Sequence, residues 1–192
     1  MRTTIFFNLN SCLSRWTQMQ LNHSVLNILF CFCLFACIRA SSLSDAYSAA
    51  LVEVQSNGVY DQLHLKYFGT NASTPYPTCL KYYPVTPLAD LKKVLEKGTV
   101  RHGIAILGPP YSFFQGSNLV GFDAELGLAL TERVRLHYQL PQLKHVFVLS
   151  AGIPSILAEL NANLFDIALA DLSIDAGRSD VADFTCTYLP VK

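Results

Sequence analysis

The sequence predicts an α/β fold in which a mainly parallel sheet carries helices on both faces. Beyond residue 87, short apolar runs alternate with helical patterns, and this alternation is typical of parallel sheets. The chain has 192 residues, of which 51% are hydrophobic and 15% charged, so it can bury a core. The first predicted helix has Thr86 as its cap and Pro87 at its first position, and it ends at Gly98. Strands are predicted over Arg101–Leu107, Val146–Leu149 and Ile167–Ala170, and the helices between them over Phe122–Val134 and Pro154–Leu160. A short helix capped by Asp175 and extended chain over Phe184–Val191 follow.

The composition of residues 1–40 indicates a secretory signal peptide or an uncleaved signal anchor. They contain three arginines and no acidic residue, and the run Val25–Ile38 is apolar except for Asn27. A helix over that run would be about 21 Å long, which is short of the ~30 Å hydrocarbon core of a bilayer. Ala40, followed by two serines, offers a cleavage point between small residues.

Two segments precede the α/β segment. A helix with a short tail is predicted over residues 44–69, and a linker over residues 70–87. Ser44 is the expected N-cap, and apolar residues recur from Tyr47 to Val54 at the three- and four-residue spacing of a helix. Asn57 and Gly58 are expected to end this helix. The linker contains four of the nine prolines of the chain.

The composition outside the leader excludes several classes of function. Fourteen acidic and eleven basic residues remain once the three leader arginines are set aside, and no basic stripe indicates nucleic-acid binding. The sequence contains no metal-ligand spacing, nucleophile elbow or phosphate loop, so we expect no cofactor. Cys79 and Cys186 can form one disulfide in an oxidising compartment, and two separate buried thiols are the alternative.

Five motifs occur in the order found in one known family. They are Lys97–Gly98, Pro109–Phe113, Gly121–Leu126, Leu157–Asp166 and Ala170–Arg178, the last followed by Phe184, Thr185 and Tyr188. Over roughly Leu91 to Pro190 this order resembles the bacterial extracellular solute-binding proteins of family 3, the amino-acid-type periplasmic binding proteins. Their ligand core is shared with ionotropic glutamate receptors. The resemblance implies that residues 88–192 are a periplasmic-binding-protein-like lobe.

Residues Ala170–Arg178 predict a carboxylate site. A strand end, a helix N-terminus and an arginine in that helix's first turn would converge there, and both backbone N–H groups and a guanidinium attract carboxylates. The resemblance implies that Arg178 grips the ligand's carboxylate and that Ser173 contributes backbone and hydroxyl contacts, and we add the backbone of Ile174. A surface arginine paired with Asp175 or Asp180 is the alternative.

The other residues of the motifs receive separate interpretations. Tyr111 and Phe113 either cover the solute or pack in the core, and Asp171 could supply a carboxylate to an ammonium group. Asp123 is expected to cap or decorate the first turn of its helix. We expect a structural role for the remaining motif residues, namely Phe122, Leu126, Asp166 and Phe184.

The resemblance also indicates a departure in domain order. The family crosses into a second lobe just after the motif with Phe184, so that lobe is expected to be absent from a chain that ends at Lys192. Residues 44–69, from Ala50 to Leu63 above all, resemble the family's final helix and tail, placed here before the first lobe. A slice of a tandem array or a fragment of a gene model would give this order.

The leading functional hypothesis is a non-enzymatic module that binds an amino acid or a similar small carboxylate outside the cytoplasm, for uptake or sensing. A membrane transporter or receptor is the macromolecular partner that such a module implies. The alternatives are a dehydratase of prephenate- or arogenate-type acids on the same fold, and a half-domain without ligand. The dehydratase needs a positioned general acid, and no histidine lies in the motifs.

Overall fold

A computed structural model of the chain describes residues 4–8, 42–72 and 82–189. The strands in these ranges are β1 (Thr4–Asn8), β2 (Thr99–Ile104), β3 (Phe113–Gln115), β4 (Asn118–Val120), β5 (Lys144–Leu149), β6 (Ile167–Ala170) and β7 (Ala182–Phe184). The helices are α1 (Ser42–Ser56), α2 (Val59–Phe68), α3 (Ala89–Lys97), α4 (Phe122–His137), α5 (Ile156–Asn161) and α6 (Ala176–Ser179). Five strands form one sheet in the order β5-β2-β6-β1-β7, and β3 and β4 form a separate hairpin.

The centre of the sheet is parallel, as the alternation of strands and helices predicts. Strand β2 pairs in parallel with β5 on one side and with β6 on the other. All four residues of β6 are buried, because helices cover both faces of a parallel sheet. Side chains alternate between the faces of a strand, so Ile167 and Leu169 belong to one core cluster while Ala168 and Ala170 belong to another. The fold class predicted from the sequence is confirmed.

Strand β1 makes the sheet mixed, which the sequence does not predict. It pairs antiparallel with β6 on one side and with β7 on the other. These five residues belong to the predicted leader, whereas the apolar run Val25–Ile38 and Ala40 lie outside the described residues. Within the described ranges, none of the helices combines the length and apolar character needed to cross a bilayer.

Helices α1 and α2 pack on α4 and share its core. The side chains of Tyr47 and Leu51 in α1 are fully buried in the same cluster as Leu126 and Leu130 of α4. In α2 the Tyr60 ring meets the Phe122 ring edge to face, with centroids 5.6 Å apart. The segment that precedes the α/β lobe in sequence is therefore part of the same hydrophobic core.

A buried polar chain ties α1 to the sheet. The hydroxyls of Tyr47 and Thr131 lie 2.8 Å apart, and the Thr131 hydroxyl lies 2.9 Å from Nε2 of His102 in β2. Burial lowers the pKa of His102 to about 3, so its ring is neutral at physiological pH. The charge of Asp166 opposes this shift, but the loss of hydration on burial is the larger cause.

Several predicted boundaries are wrong by a few residues. Ser44 is not the N-cap, because α1 already begins at Ser42. Helix α3 begins at Ala89, with Leu88 as N-cap, and not after Thr86. Strand β2 runs from Thr99 to Ile104 and stops before Leu107. It stops there because the Ser112 hydroxyl donates to the carbonyl of Ala105, which turns the chain away from the sheet.

The predicted helix ends at Gly58 and Gly98 are confirmed. Both glycines adopt left-handed backbone conformations, with φ of 80° and 66°. At Gly98 the backbone N–H donates to the carbonyls of Val94 and Leu95, which is the usual way for a glycine to end a helix.

Cys186 is disulfide-bonded, and its partner lies outside the described residues. The predicted partner, Cys79, also lies outside them. The pairing of these two cysteines therefore stays a prediction.

Gly103 lets β2 lie against a buried aromatic ring. A Cβ at this position would lie 2.4 Å from Cδ2 of Phe165, and Phe165 is itself 1% exposed. Because protein interiors are close-packed, the ring has no free volume into which it could move.

We predict that Gly103→Ala lowers the free energy of unfolding by about 1–3 kcal/mol, the usual range for overpacking a core. Urea denaturation followed by circular dichroism measures this as a lower midpoint. Gly177→Ala is the matched control, because its added Cβ would lie 3.6 Å from the nearest atom, Oδ1 of Asp175. An unchanged midpoint for Gly103→Ala would show that the contact with Phe165 does not limit the packing of β2.

Candidate functional site

The predicted site lies at the edge of the sheet where the parallel strands end. Ile104 and Leu149 are paired at the ends of β2 and β5, and β6 ends beside them at Ala170. The loop from Asp171 to Asp175 leaves the sheet at this edge, which is where α/β sheets bind their ligands. Asp171 and Ser173 are half-buried in this loop, and Ile174 is 39% exposed.

Arg178 is held against this loop by its own neighbours. Its Nη1 donates to the Ser173 carbonyl at 2.8 Å and to the Ser173 hydroxyl at 2.9 Å. Its Nε lies 3.3 Å from Oδ2 of Asp175. No described residue accepts a hydrogen bond from Nη2, and the Arg178 side chain is 33% exposed. The structure thus brings Arg178 and Ser173 together and also shows the predicted alternative pairing with Asp175.

Helix α6 is only four residues long, with Asp175 as its N-cap. The Asp175 carboxylate accepts the backbone N–H of Arg178 at 2.9 Å, which confirms the predicted cap. Because the dipole of a helix grows with the number of aligned peptides, one turn contributes little positive potential. The N-terminus of α6 was expected to add positive potential at the site, but it adds little. The positive charge there comes from the Arg178 guanidinium.

The loop that carries Tyr111 is fixed by the start of α4. The backbone N–H groups of Phe122 and Asp123 donate to the carbonyls of Pro110 and Tyr111, both at 2.9 Å. Gly121 permits this approach, since a Cβ there would lie 2.2 Å from the Tyr111 carbonyl oxygen and its φ is 124°. These carbonyls cap α4 in place of a side chain.

The two candidate aromatic residues occupy different positions. Tyr111 is half-buried, and its ring packs edge to face on Phe68 with centroids 5.8 Å apart. Burial and then the charge of Asp171 raise the pKa of the Tyr111 hydroxyl, so this ring lies in the field of the candidate loop. Phe113 is half-buried at the start of β3, opposite Val120 in the hairpin. Tyr111 is therefore the better candidate to cover a solute.

Asp123 differs most from its predicted role. It does not decorate the surface of α4, because its side chain is 0% exposed and accepts a hydrogen bond from the Tyr188 hydroxyl at 2.9 Å. The pKa of Asp123 is raised to about 7, with burial as the largest cause; the hydrogen bond from Tyr188 lowers it, and the charge of Asp171 raises it. Sequence analysis misses this contact because the two residues are 65 positions apart.

Asp166 has the structural role that the sequence analysis assigns to it. Its carboxylate accepts hydrogen bonds from the backbone N–H and the guanidinium of Arg101, with Oδ1 2.7 Å from Nη2. The same guanidinium also donates to the carbonyls of Asn163 and Leu164. Phe122 and Leu126 are fully buried, as expected. Phe184 packs against the second core cluster.

The fold and the loop define a periplasmic-binding-protein-like lobe with a polar loop at the carboxyl edge of its sheet. Residues 100–192 match the model of the bacterial extracellular solute-binding proteins, family 3. This match supports the resemblance that the order of the five motifs predicts.

Three solved structures are similar to the chain. A Plasmodium falciparum protein, PfVFT1, is 17% identical over 68% of this chain and 50% of that chain, with a TM-score of 0.53, and shares the fold. An ancestral cationic amino-acid solute-binding protein is 26% identical over 46% of this chain and 36% of that chain, with a TM-score of 0.40. An ancestral cyclohexadienyl dehydratase is 25% identical over 46% of this chain and 34% of that chain, with a TM-score of 0.39. The chain thus spans half or less of each of these structures.

We predict that Asp175→Ala lowers the free energy of unfolding by about 0.5–2 kcal/mol, the usual effect of removing a capping side chain. Asp175→Asn should cost much less, because an amide oxygen can still accept the Arg178 N–H. Urea denaturation measures both values. Asp180→Ala is the control, since Asp180 is exposed and caps α6 through its backbone alone. Equal losses for the alanine and asparagine variants at position 175 would contradict the capping role.

Proposed function

We propose that this lobe binds a small solute through a carboxylate group held by Arg178. The observation that supports this most is the fixed guanidinium at the carboxyl edge of the sheet, whose Nη2 donates to no described residue. A planar guanidinium with donors in a fixed fork matches the two oxygens of a carboxylate. Its anchoring to Ser173 means that little side-chain freedom is lost when a solute binds.

Ser173 is the second proposed contact. Its hydroxyl oxygen accepts a hydrogen bond from Arg178, so the hydroxyl proton stays available to donate. A carboxylate that takes one bond from Arg178 could take a second from this hydroxyl. Ile174, which is 39% exposed, continues the same loop, and its backbone is the third proposed contact.

The neighbourhood of Asp171 favours a solute that also carries a cation. The carboxylate of Asp171 lies at the end of β6, and Tyr111 lies within its field. A carboxylate beside an aromatic ring is a setting that binds ammonium groups, through charge and through the face of the ring. An amino acid presents both an ammonium group and a carboxylate. We therefore propose an amino acid as the solute, with Tyr111, or Phe113 in its place, as the cover.

The proposed setting is outside the cytoplasm, where the solute would be bound for uptake or sensing. The family model is that of extracellular proteins, and the disulfide at Cys186 suits an oxidising compartment. A membrane transporter or receptor is the proposed partner, because a binding module of this kind delivers or reports its solute.

A dehydratase is the less favoured candidate. The raised pKa of Asp123, about 7, is suited to a general acid. However, the Asp123 side chain is 0% exposed, so it cannot touch a solute in the loop, and burial keeps His102 neutral. We therefore propose binding without catalysis.

We predict that Arg178→Ala weakens the binding of amino acids by about 1.5–3 kcal/mol, the range for a hydrogen bond to a charged group. Arg178→Lys should not restore affinity, because an ammonium group cannot bind Ser173 and Asp175 and still present a further donor in the fixed planar geometry of a guanidinium. A thermal-shift screen of the twenty common amino acids on the full chain selects the ligands, and calorimetry then gives the affinities.

Arg135→Ala is the matched control for this experiment. Arg135 forms an ion pair with Glu132 in the last turn of α4, far from the first turn that borders the candidate site. Its loss should leave the affinity unchanged. If no amino acid binds, or if Arg178→Ala leaves every affinity unchanged, the carboxylate site is wrong.

A further inference from the structure

The carboxyl group of Asp123 is buried, and one of its two oxygens has no hydrogen-bond partner among the described residues. Its Oδ1 accepts from the Tyr188 hydroxyl at 2.9 Å, whereas Oδ2 has no partner among the described residues. A buried carboxylate that is neither paired with a cation nor fully hydrogen-bonded is unfavourable, and it tends to take up a proton.

The groups around Asp123 provide no compensating positive charge. Tyr188 lies after β7, Asp171 after β6 and Tyr111 before β3. Helix α2 carries the titratable residues Tyr60, Asp61, His64, Lys66 and Tyr67, and the first turn of α4 itself also carries Glu125. Lys66 is already paired with Glu125, with Nζ and Oε1 2.6 Å apart. The charge of Asp171 opposes the ionisation of Asp123.

The Tyr188 hydroxyl connects Asp123 to the candidate loop. It lies 2.9 Å from Oδ1 of Asp123 and 3.4 Å from the carbonyl oxygen of Ala170, the last residue of β6. One hydroxyl proton cannot serve both acceptors fully, and an ionised carboxylate attracts it more strongly than a neutral one. A change in the protonation state of Asp123 therefore alters the contact between the Tyr188 hydroxyl and the carbonyl of Ala170, the residue that precedes Asp171.

We propose that Asp123 is a proton-exchanging carboxyl beneath the solute pocket, and that it releases its proton to water when a cationic group of the solute binds beside Asp171. This inference rests on the proposed function. The bound cation favours ionised Asp123 by attraction, and reciprocity requires that ionised Asp123 favours the bound cation. No bond of the solute forms or breaks, and the proton passes from the carboxyl group to the solvent.

The expected pH dependence follows from the raised pKa of Asp123, about 7. Below this pH Asp123 is neutral, and above it the charge attracts an ammonium group. Amino-acid affinity should therefore rise by about five-fold or more between pH 6 and pH 8. A solute with a carboxylate and no ammonium group should show the opposite trend, because ionised Asp123 repels it.

Calorimetry on the full chain at pH 6 and pH 8 tests this with two matched pairs, L-alanine with propionate and L-phenylalanine with 3-phenylpropionate. Asp123→Asn keeps an oxygen for Tyr188 and cannot ionise, so it should abolish the rise for the amino acids. A rise that persists in Asp123→Asn, or equal pH profiles for amino acids and plain acids, would overturn the proposal alone. Absence of binding by these four probes and by all twenty amino acids of the screen would overturn the proposed function and this proposal with it.

A measurement without ligand separates these two failures. In Asp171→Lys a tethered ammonium group replaces the solute's cation, and carboxyl NMR should show the Asp123 midpoint lowered by about one unit or more. Tyr188→Phe should raise the midpoint, because a hydrogen bond to the ionised form is lost. If Asp123 of the unaltered chain titrates near 4, or if Asp171→Lys leaves its midpoint unchanged, the coupling does not exist, whatever the binding experiments show.

Discussion

The hydrogen bond from Tyr188 to Asp123 joins the parts of the molecule that lie far apart in sequence. Asp123 stands in the first turn of α4, whereas Tyr188 follows the last described strand. The Tyr188 carbonyl in turn accepts the hydroxyl of Tyr60, which is 128 residues away on α2. All three side chains are at most 1% exposed. Hydrogen bonds between buried groups are costly to lose, so this chain of contacts fixes how α2, α4 and the end of β6 fit together.

The position of the candidate loop depends on the same region. The first N–H groups of α4 bind the loop that carries Tyr111, and the Tyr188 hydroxyl reaches the carbonyl of Ala170. The aromatic candidate and the start of the Asp171–Asp175 loop are therefore placed by one buried cluster. A shift in that cluster, such as a change in the charge of Asp123, would be transmitted to both sides of the proposed pocket.

The parts of the fold that depend on local signals could be predicted from the sequence. Strand β6 matches its predicted bounds because four consecutive apolar residues are needed where both faces of a strand are covered. Gly98 ends its helix through its own backbone conformation, and Asp175 caps α6 three residues from the N–H that it binds. The contact between Arg178 and Ser173 spans five residues, and the Ala170–Arg178 motif contains both partners.

The features that could not be predicted depend on contacts across long stretches of chain. The pairing of β1 with β6 joins residues 160 or more positions apart, and no local pattern in Thr4–Asn8 indicates it. The burial of Asp123 follows from Tyr188, and an acidic residue in the first turn of a helix normally indicates an exposed position. Strand β2 ends early because a serine hydroxyl seven residues later takes a carbonyl that would otherwise continue the sheet.

The most direct measurement of the central claim is a map of amide chemical shifts in the full chain during titration with the amino acid that binds best. If the solute binds at the carboxyl edge of the sheet, the largest changes will be at the backbone N–H groups of Ser173, Ile174 and Arg178, with smaller changes at Tyr111. Changes concentrated at the opposite edge, near Thr99 and Lys144, would contradict the account.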